Sequence, residues 1–169
     1  MATYVALLRA INVGGTGKLA MADLKQLCIG AGFTEVATYI ASGNVVFRSK
    51  LRPRAVKGAL EKCLFAHMGS AIDVFIRTGA EMQGVVSANP FRTKAGNLTY
   101  VHFLDNDPPK DALARVAGQT DEVIRLGTRE IFVYYPAGMG KSTLRIPAAK
   151  AATARNMNTV ARLAELSAS

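Results

Sequence analysis

The stretch "YYPAGMGKST" (Tyr134 to Thr143) ends in Gly140, Lys141 and Ser142, the trio with which a phosphate-binding loop holds nucleotide phosphates and their magnesium ion. That chemistry also needs a glycine at the start of the loop, because backbone amides wrap phosphates only where no side chain intervenes. Tyr135 stands at that position, and Pro147 interrupts the chain where the following helix should run. A second stretch, "NVGGTGKL", has Gly17 and Lys18, but Asn12 replaces the first glycine and Leu19 the magnesium-binding hydroxyl. Both read as glycine-rich turns carrying a lysine, and neither implies a nucleotide cofactor.

Weaker anion chemistry remains open to these turns. Backbone amides around Gly14 and Gly15 with Lys18 beside them suit a small anion, Arg9 adds a second cation, and Ser42, Gly43 and Asn44 offer a similar polar, glycine-centred turn. A second polar patch comprises Lys141, Ser142, Arg155 and Asn156, in which the forked donors of Arg155 would fit a carboxylate or phosphate. Each feature has an architectural counterpart. The glycines would serve equally to turn the chain, Arg9 to pair with a carboxylate such as Asp23 or Glu35, and Thr153 to cap a terminal helix.

Catalytic groups are few. His67 closes a helical stripe and His102 alternates with Leu98, Tyr100 and Leu104 on one strand face, so both read as structural. No serine has a nucleophile's surroundings, and no group of His, Cys and carboxylates has metal-ligand spacing. "DNDPPKD" (Asp105 to Asp111) lacks the glycine and closing glutamate of a calcium loop and reads as a strand-to-helix connection with an aspartate cap. No catalytic activity, metal or cofactor is assigned.

Half of the 169 residues are apolar, enough to bury a core. No apolar run reaches the length of a membrane span, and no basic region precedes the first apolar stretch, so the expectation is a cytoplasmic protein without a membrane partner. Cys28 and Cys63 fall on apolar helical faces as free thiols. Lys and Arg number 21 against 12 Asp and Glu, a formal charge of +9, which attracts polyanions at long range. Five cations and no acid occupy "RSKLRPRAVK" (Arg48 to Lys57), the composition of a solvated helix start or of a surface that tracks phosphates.

The elements that must position these residues follow from periodicity. Thr3 to Ile11 reads as a central strand, Met21 to Ala31 as a helix, "VATYI" and "NVVFRS" as a hairpin, Val56 to His67 as a helical stripe after Pro53, and "AIDVFIRT" as a fourth strand. This is the βαββαβ order of a ferredoxin-like unit. The second half nearly repeats it, with a strand at "NLTYVHFL", a short helix over Pro109 to Ala117, a hairpin of "DEVIRL" and "EIFVYY", and helical material first after Gly140 and then over Ala154 to Leu166. The expected class is α+β, with ferredoxin-like subdomains at 1–79 and 97–169, joined by 80–96, and a C-terminal helix.

Four motifs, "YVALLRAINVGGTGK", "TYIASGNVVF", "ANPF" and "TARNMNTVARLAEL", together resemble a family of bacterial proteins catalogued as the domain-of-unknown-function family numbered 1697. The resemblance spans nearly the whole chain and departs at Met157, where the family usually has tryptophan. It implies two ferredoxin-like parts and no established activity.

A ferredoxin-like sheet has strand order 4-1-3-2, which sets the end of the first strand beside the start of the third. Arg9, Asn12, Gly14, Gly15 and Lys18 would therefore meet Ser42, Gly43 and Asn44 at one sheet edge. The expected function is binding of a small anionic or polar ligand there. RNA-recognition motifs share the strand order but stack bases on aromatic residues of the third strand, and Ser42 and Asn44 occupy those positions here. The alternatives are sequence-nonspecific electrostatic binding of nucleic acid and an interaction module without a small ligand.

Overall fold

The computed structural model describes residues 1–13, 15 and 17–168. Two compact units are present: Met1–Gln83 with Leu163–Ser169, and Gly84–Arg162.

The first unit contains β1 (Ala2–Leu8), α1 (Met21–Gly30), β2 (Thr34–Thr38), β3 (Asn44–Ser49), α2 (Pro53–Met68) and β4 (Val74–Thr78). The sheet order is β2-β3-β1-β4 with antiparallel pairing throughout, the ferredoxin-like 4-1-3-2 arrangement. β1 lies between β3 and β4 and is apolar at consecutive positions because both of its faces are buried. Tyr4, Ala6 and Leu8 join a core with Leu24 and Cys28 of α1 and Val56, Leu60 and Leu64 of α2, while Val5 and Leu7 are buried on the opposite face. The helical residues lie four apart and so form one stripe per helix. Phe33 stacks on Phe47 with ring centres 4.3 Å apart. Pro53 opens α2, where its missing N–H costs nothing, and Gly69 ends it in the left-handed conformation at φ 75°.

The second sheet has β5 (Thr99–Phe103), β6 (Val123–Leu126), β7 (Glu130–Tyr134) and β8 (Thr153–Asn156) in the order β6-β7-β5-β8, again antiparallel. One face carries a core of Leu104, Ile124, Ile131, Val133, Tyr135 and Ile146. Two further helices are α3 (Gly79–Ser87) and α4 (Met157–Leu166). α3 starts in a reciprocal cap, the Glu81 N–H donating to Thr78 Oγ1 at 3.1 Å and the Thr78 N–H to Glu81 Oε1 at 2.8 Å.

Three local expectations change. The helix expected over Pro109 to Ala117 is a single 3-10 turn, Ala112–Arg115, with only Ala112 buried, because no apolar stripe exists to hold a longer helix against the sheet. Asp111 precedes that turn without capping it, and its carboxylate pairs with Arg115 at 3.2 Å instead. The helix expected from Ala154 begins only at Met157. Residues 153–156 pair with β5, whose open edge offers a row of hydrogen-bonding groups.

Candidate functional site

The register of the first sheet sets Leu7 opposite Asn44, so the segment after β1 runs beside the turn before β3. The Leu8 N–H donates to the Gly43 carbonyl at 2.9 Å and the Arg9 N–H to the Asp73 carbonyl at 3.0 Å. The Asn12 amide nitrogen then donates to the carbonyls of Leu19 at 2.9 Å and Ala41 at 2.8 Å, and its amide oxygen accepts the Leu19 N–H at 2.9 Å. Asn44, fully buried, donates from Nδ2 to the Tyr39 carbonyl at 3.0 Å and to Ser42 Oγ at 2.9 Å. Both asparagines therefore brace loops with their side chains.

Steric demands at this edge are severe. A Cβ on Gly43, at φ 88°, would lie 2.6 Å from Ile11 Cδ1, and one on Gly17, at φ 60°, would lie 2.8 Å from the Ala10 carbonyl oxygen. Ala10, Asn12 and Ile40 adopt positive φ of 57°, 54° and 51° although none is glycine. For Ile40 this is a true outlier, since a β-branched side chain crowds the backbone there. Val13 and Ile40 are exposed at 61% and 50%. Arg9 is half-buried, and Lys18 is exposed with no hydrogen bond or ion pair among the described residues. Gly15 is exposed at φ 80°. Gly14, also a candidate from the sequence, lies outside the described residues.

Other candidates are placed differently. Glu35 pairs with Arg48 at 3.5 Å and Asp23 lies 4.0 Å from His67. The guanidinium most deeply buried in the first unit is Arg77, opposite Val5 on β4 and 1% exposed, with Nη1 donating to the Ile76 carbonyl at 3.0 Å. Its only sequence signal is alternation with Phe75 in "VFIRT". In the basic run, Arg48 and Lys57 have carboxylate partners, whereas Lys50, Arg52 and Arg54 are exposed without one among the described residues.

Within the second polar patch, Arg155 and Ser142 lie on opposite sides of the second sheet. Arg155 pairs in register with Val101, whereas His102 pairs with Ala154, so Arg155 projects from the face opposite His102. Arg155 is 7% exposed, its Nη1 donates to Thr153 Oγ1 at 2.7 Å, and burial lowers its guanidinium to about 10. Asn156 accepts the Thr159 N–H at 3.0 Å and is the cap of α4, the role the sequence suggests for Thr153. Lys141 lies in a 3-10 turn, Met139–Lys141, and the Ser142 hydroxyl donates to the Glu122 carboxylate. That bond, followed by the Thr120 amide, holds Glu122 below the usual carboxylate range.

Ser142 lines a cavity of about 290 Å³ on the His102 face of the second sheet. There His102 Nε2 and the Tyr135 hydroxyl share a hydrogen bond of 3.0 Å. Burial lowers the His102 imidazole to about 4 and raises the Tyr135 phenol to about 12, the Glu122 charge adding to the latter. His102 keeps some access to solvent through the cavity, but the protein around it disfavours the imidazolium. Tyr135, which sits where a phosphate-binding loop needs glycine, is thus a buried member of this core.

A solved structure, the conserved bacterial protein SP0830 from Streptococcus pneumoniae, is 22% identical, with a TM-score of 0.82 over 99% of both chains. At that identity the likeness speaks for the fold alone. No curated protein matches the chain significantly. The family model described as "Protein of unknown function (DUF1697)" matches residues 1–132, and the chain belongs to that family.

Proposed function

We propose that the loop edge of the first sheet binds a small anionic or polar ligand, with Lys18 and Arg9 supplying charge and Gly15 supplying a backbone amide. Asn12, Ser42, Gly43 and Asn44 hold the loops that present these groups. The observation that carries this reading is the cost of the edge: Ala10, Asn12 and Ile40 all sit at positive φ beside exposed Val13 and Ile40. Left-handed backbone at a non-glycine residue costs about 1–2 kcal/mol, and such strain concentrates where a protein holds a ligand. A thermal-shift screen of phosphate, sulfate, carboxylates and nucleotides at constant ionic strength tests it, because a ligand of the native state raises Tm. The expected result is one or more anions that stabilise the protein beyond chloride, an effect lost in Lys18→Gln with the empty variant's Tm unchanged. Equal stabilisation of Lys18→Gln, or no anion better than chloride, would overturn the reading.

A second reading rests on Lys50, Arg52 and Arg54, three exposed cations at the start of α2 without carboxylate partners among the described residues. Binding of nucleic acid through them would be indifferent to sequence and would weaken steeply with salt. Replacing all three by Gln should then reduce the salt slope of binding measured by fluorescence anisotropy.

A further inference from the structure

The cavity beside His102 has a composition unlike the loop edge. Met139, Leu144, Ile146 and Ala149 form apolar walls, and its polar lining is His102, Tyr135 and Ser142, with no cation among them. The Ser142 oxygen is already engaged, donating to Glu122 and accepting the Leu144 N–H at 3.1 Å. That leaves the His102–Tyr135 pair as the group able to recognise a ligand.

The pair has a fixed hydrogen-bonding capacity. Should Tyr135 donate to Nε2, the proton of the neutral imidazole lies on Nδ1 and the phenol oxygen can accept another bond. Should Nε2–H donate, the phenol hydrogen is released for another acceptor and Nδ1 accepts. In either arrangement the neutral pair retains one further donor and one further acceptor. Among the described residues the His102 ring has no other hydrogen-bond partner. Tyr135 is itself held in place, its N–H donating to the Leu98 carbonyl at 2.8 Å and its ring meeting the Tyr100 ring edge-on at 5.5 Å. Glu122, bonded to Ser142, puts a negative charge nearby and opposes an anion. A cavity at the small end of ligand pockets, with apolar walls and a paired donor and acceptor, matches a flat, uncharged molecule.

We propose that this cavity is a second binding site, for an uncharged planar heteroaromatic ring whose edge carries an adjacent hydrogen-bond donor and acceptor, read by the His102–Tyr135 pair. The ring packs against the apolar lining of Met139, Leu144 and Ile146. The polarizable thioether of Met139, partly exposed, suits contact with an aromatic face.

The test is an NMR titration of the isotopically labelled full chain with adenine, uracil and nicotinamide, each to millimolar concentration, with inorganic phosphate and acetate as anionic controls. At least one neutral ring should give saturable shifts at His102, Met139 and Leu144, and neither anion should. Tyr135→Phe, which keeps the ring and removes the hydroxyl, should weaken binding about tenfold, as expected for one hydrogen bond. Tyr135 is buried, so Ala149→Phe provides an independent variant that fills the cavity from a half-buried wall and should abolish the shifts. Lys18→Gln should leave them unchanged, which separates this site from the loop edge. No saturable shift from any of the three rings, equal binding by Ala149→Phe, or tighter binding of phosphate or acetate in the cavity would overturn the proposal.

Discussion

Asn12 and Leu19 bond to each other twice, the side-chain amide of Asn12 donating to the Leu19 carbonyl and accepting the Leu19 N–H, both at 2.9 Å. The side chain thus imitates a strand partner and closes the loop between β1 and α1, while its second donor reaches Ala41 before β3. Asn12→Ala removes three hydrogen bonds and leaves alanine at φ 54°. The expected loss is about 2 kcal/mol in urea unfolding, because each net bond contributes about 1 kcal/mol or less at a solvated site and the left-handed backbone becomes harder to hold. Asn12→Gly should lose less, since glycine tolerates that φ. Equal stability of Asn12→Ala and the parent protein would show that the clamp does not hold the loop.

Gly43 tests the steric side of the same edge. Gly43→Ala would press a methyl group against both the Cδ1 and Cγ1 of Ile11 at φ 88°, with an expected loss of about 1–3 kcal/mol. Gly140→Ala meets nothing within 4 Å, so its stability should stay within about 0.5 kcal/mol. Comparison of the two urea midpoints checks the contrast, which a loss at Gly140 as large as that at Gly43 would refute.

The phosphate-loop lookalike should be inert toward nucleotides. Gly140 and Lys141 lie in one 3-10 turn, Ser142 is bonded to Glu122, and Tyr135 is 4% exposed within a core. Magnesium with ATP or GTP should raise Tm no more than matched salt, and Lys141→Ala should not alter that comparison. Micromolar affinity lost in Lys141→Ala would be decisive against it.

Acid sensitivity follows from His102. Its folded value of about 4 lies below the 6.5 of the free imidazole, so the unfolded chain takes up the proton first. The stability from a neutral His102 is fully present above about pH 6.5 and is lost as pH falls toward about 4. Urea unfolding from pH 7.5 to 5 should show a decline that His102→Gln flattens. Glu122, held below its usual range chiefly by Ser142, acts in the same direction at lower pH. Glu122→Gln should therefore preserve the decline between pH 6.5 and 5, and equal slopes for His102→Gln and the parent protein would exclude His102 as its source.

The strand and helix order of the first unit was legible in the sequence because it rests on local periodicity. Val56, Leu60 and Leu64 make a stripe wherever they fold, Pro53 and Gly69 bound their helix, and the apolar run of β1 needs two buried faces. The approach of Leu8 to Gly43 and of Asn12 to Ala41 followed from strand order. What each polar atom does there came only from tertiary structure. Asn12 reads alike as a ligand group and as a loop clamp until the carbonyls of Leu19 and Ala41 are in place, since its role depends on atoms 7 and 29 residues away. Residues 153–156 became strand because β5 had an open edge, a non-local cause that helical spacing beyond Met157 concealed. Arg77, which no sequence motif singled out, is the deeply buried guanidinium of the first unit, because periodicity reports a face but not how deeply that face is covered. His102 and Tyr135 meet from 33 residues apart through the pairing of β5 with β7. Local sequence biases the backbone, whereas hydrogen-bond partners and burial depend on which surfaces the completed sheets bring within reach.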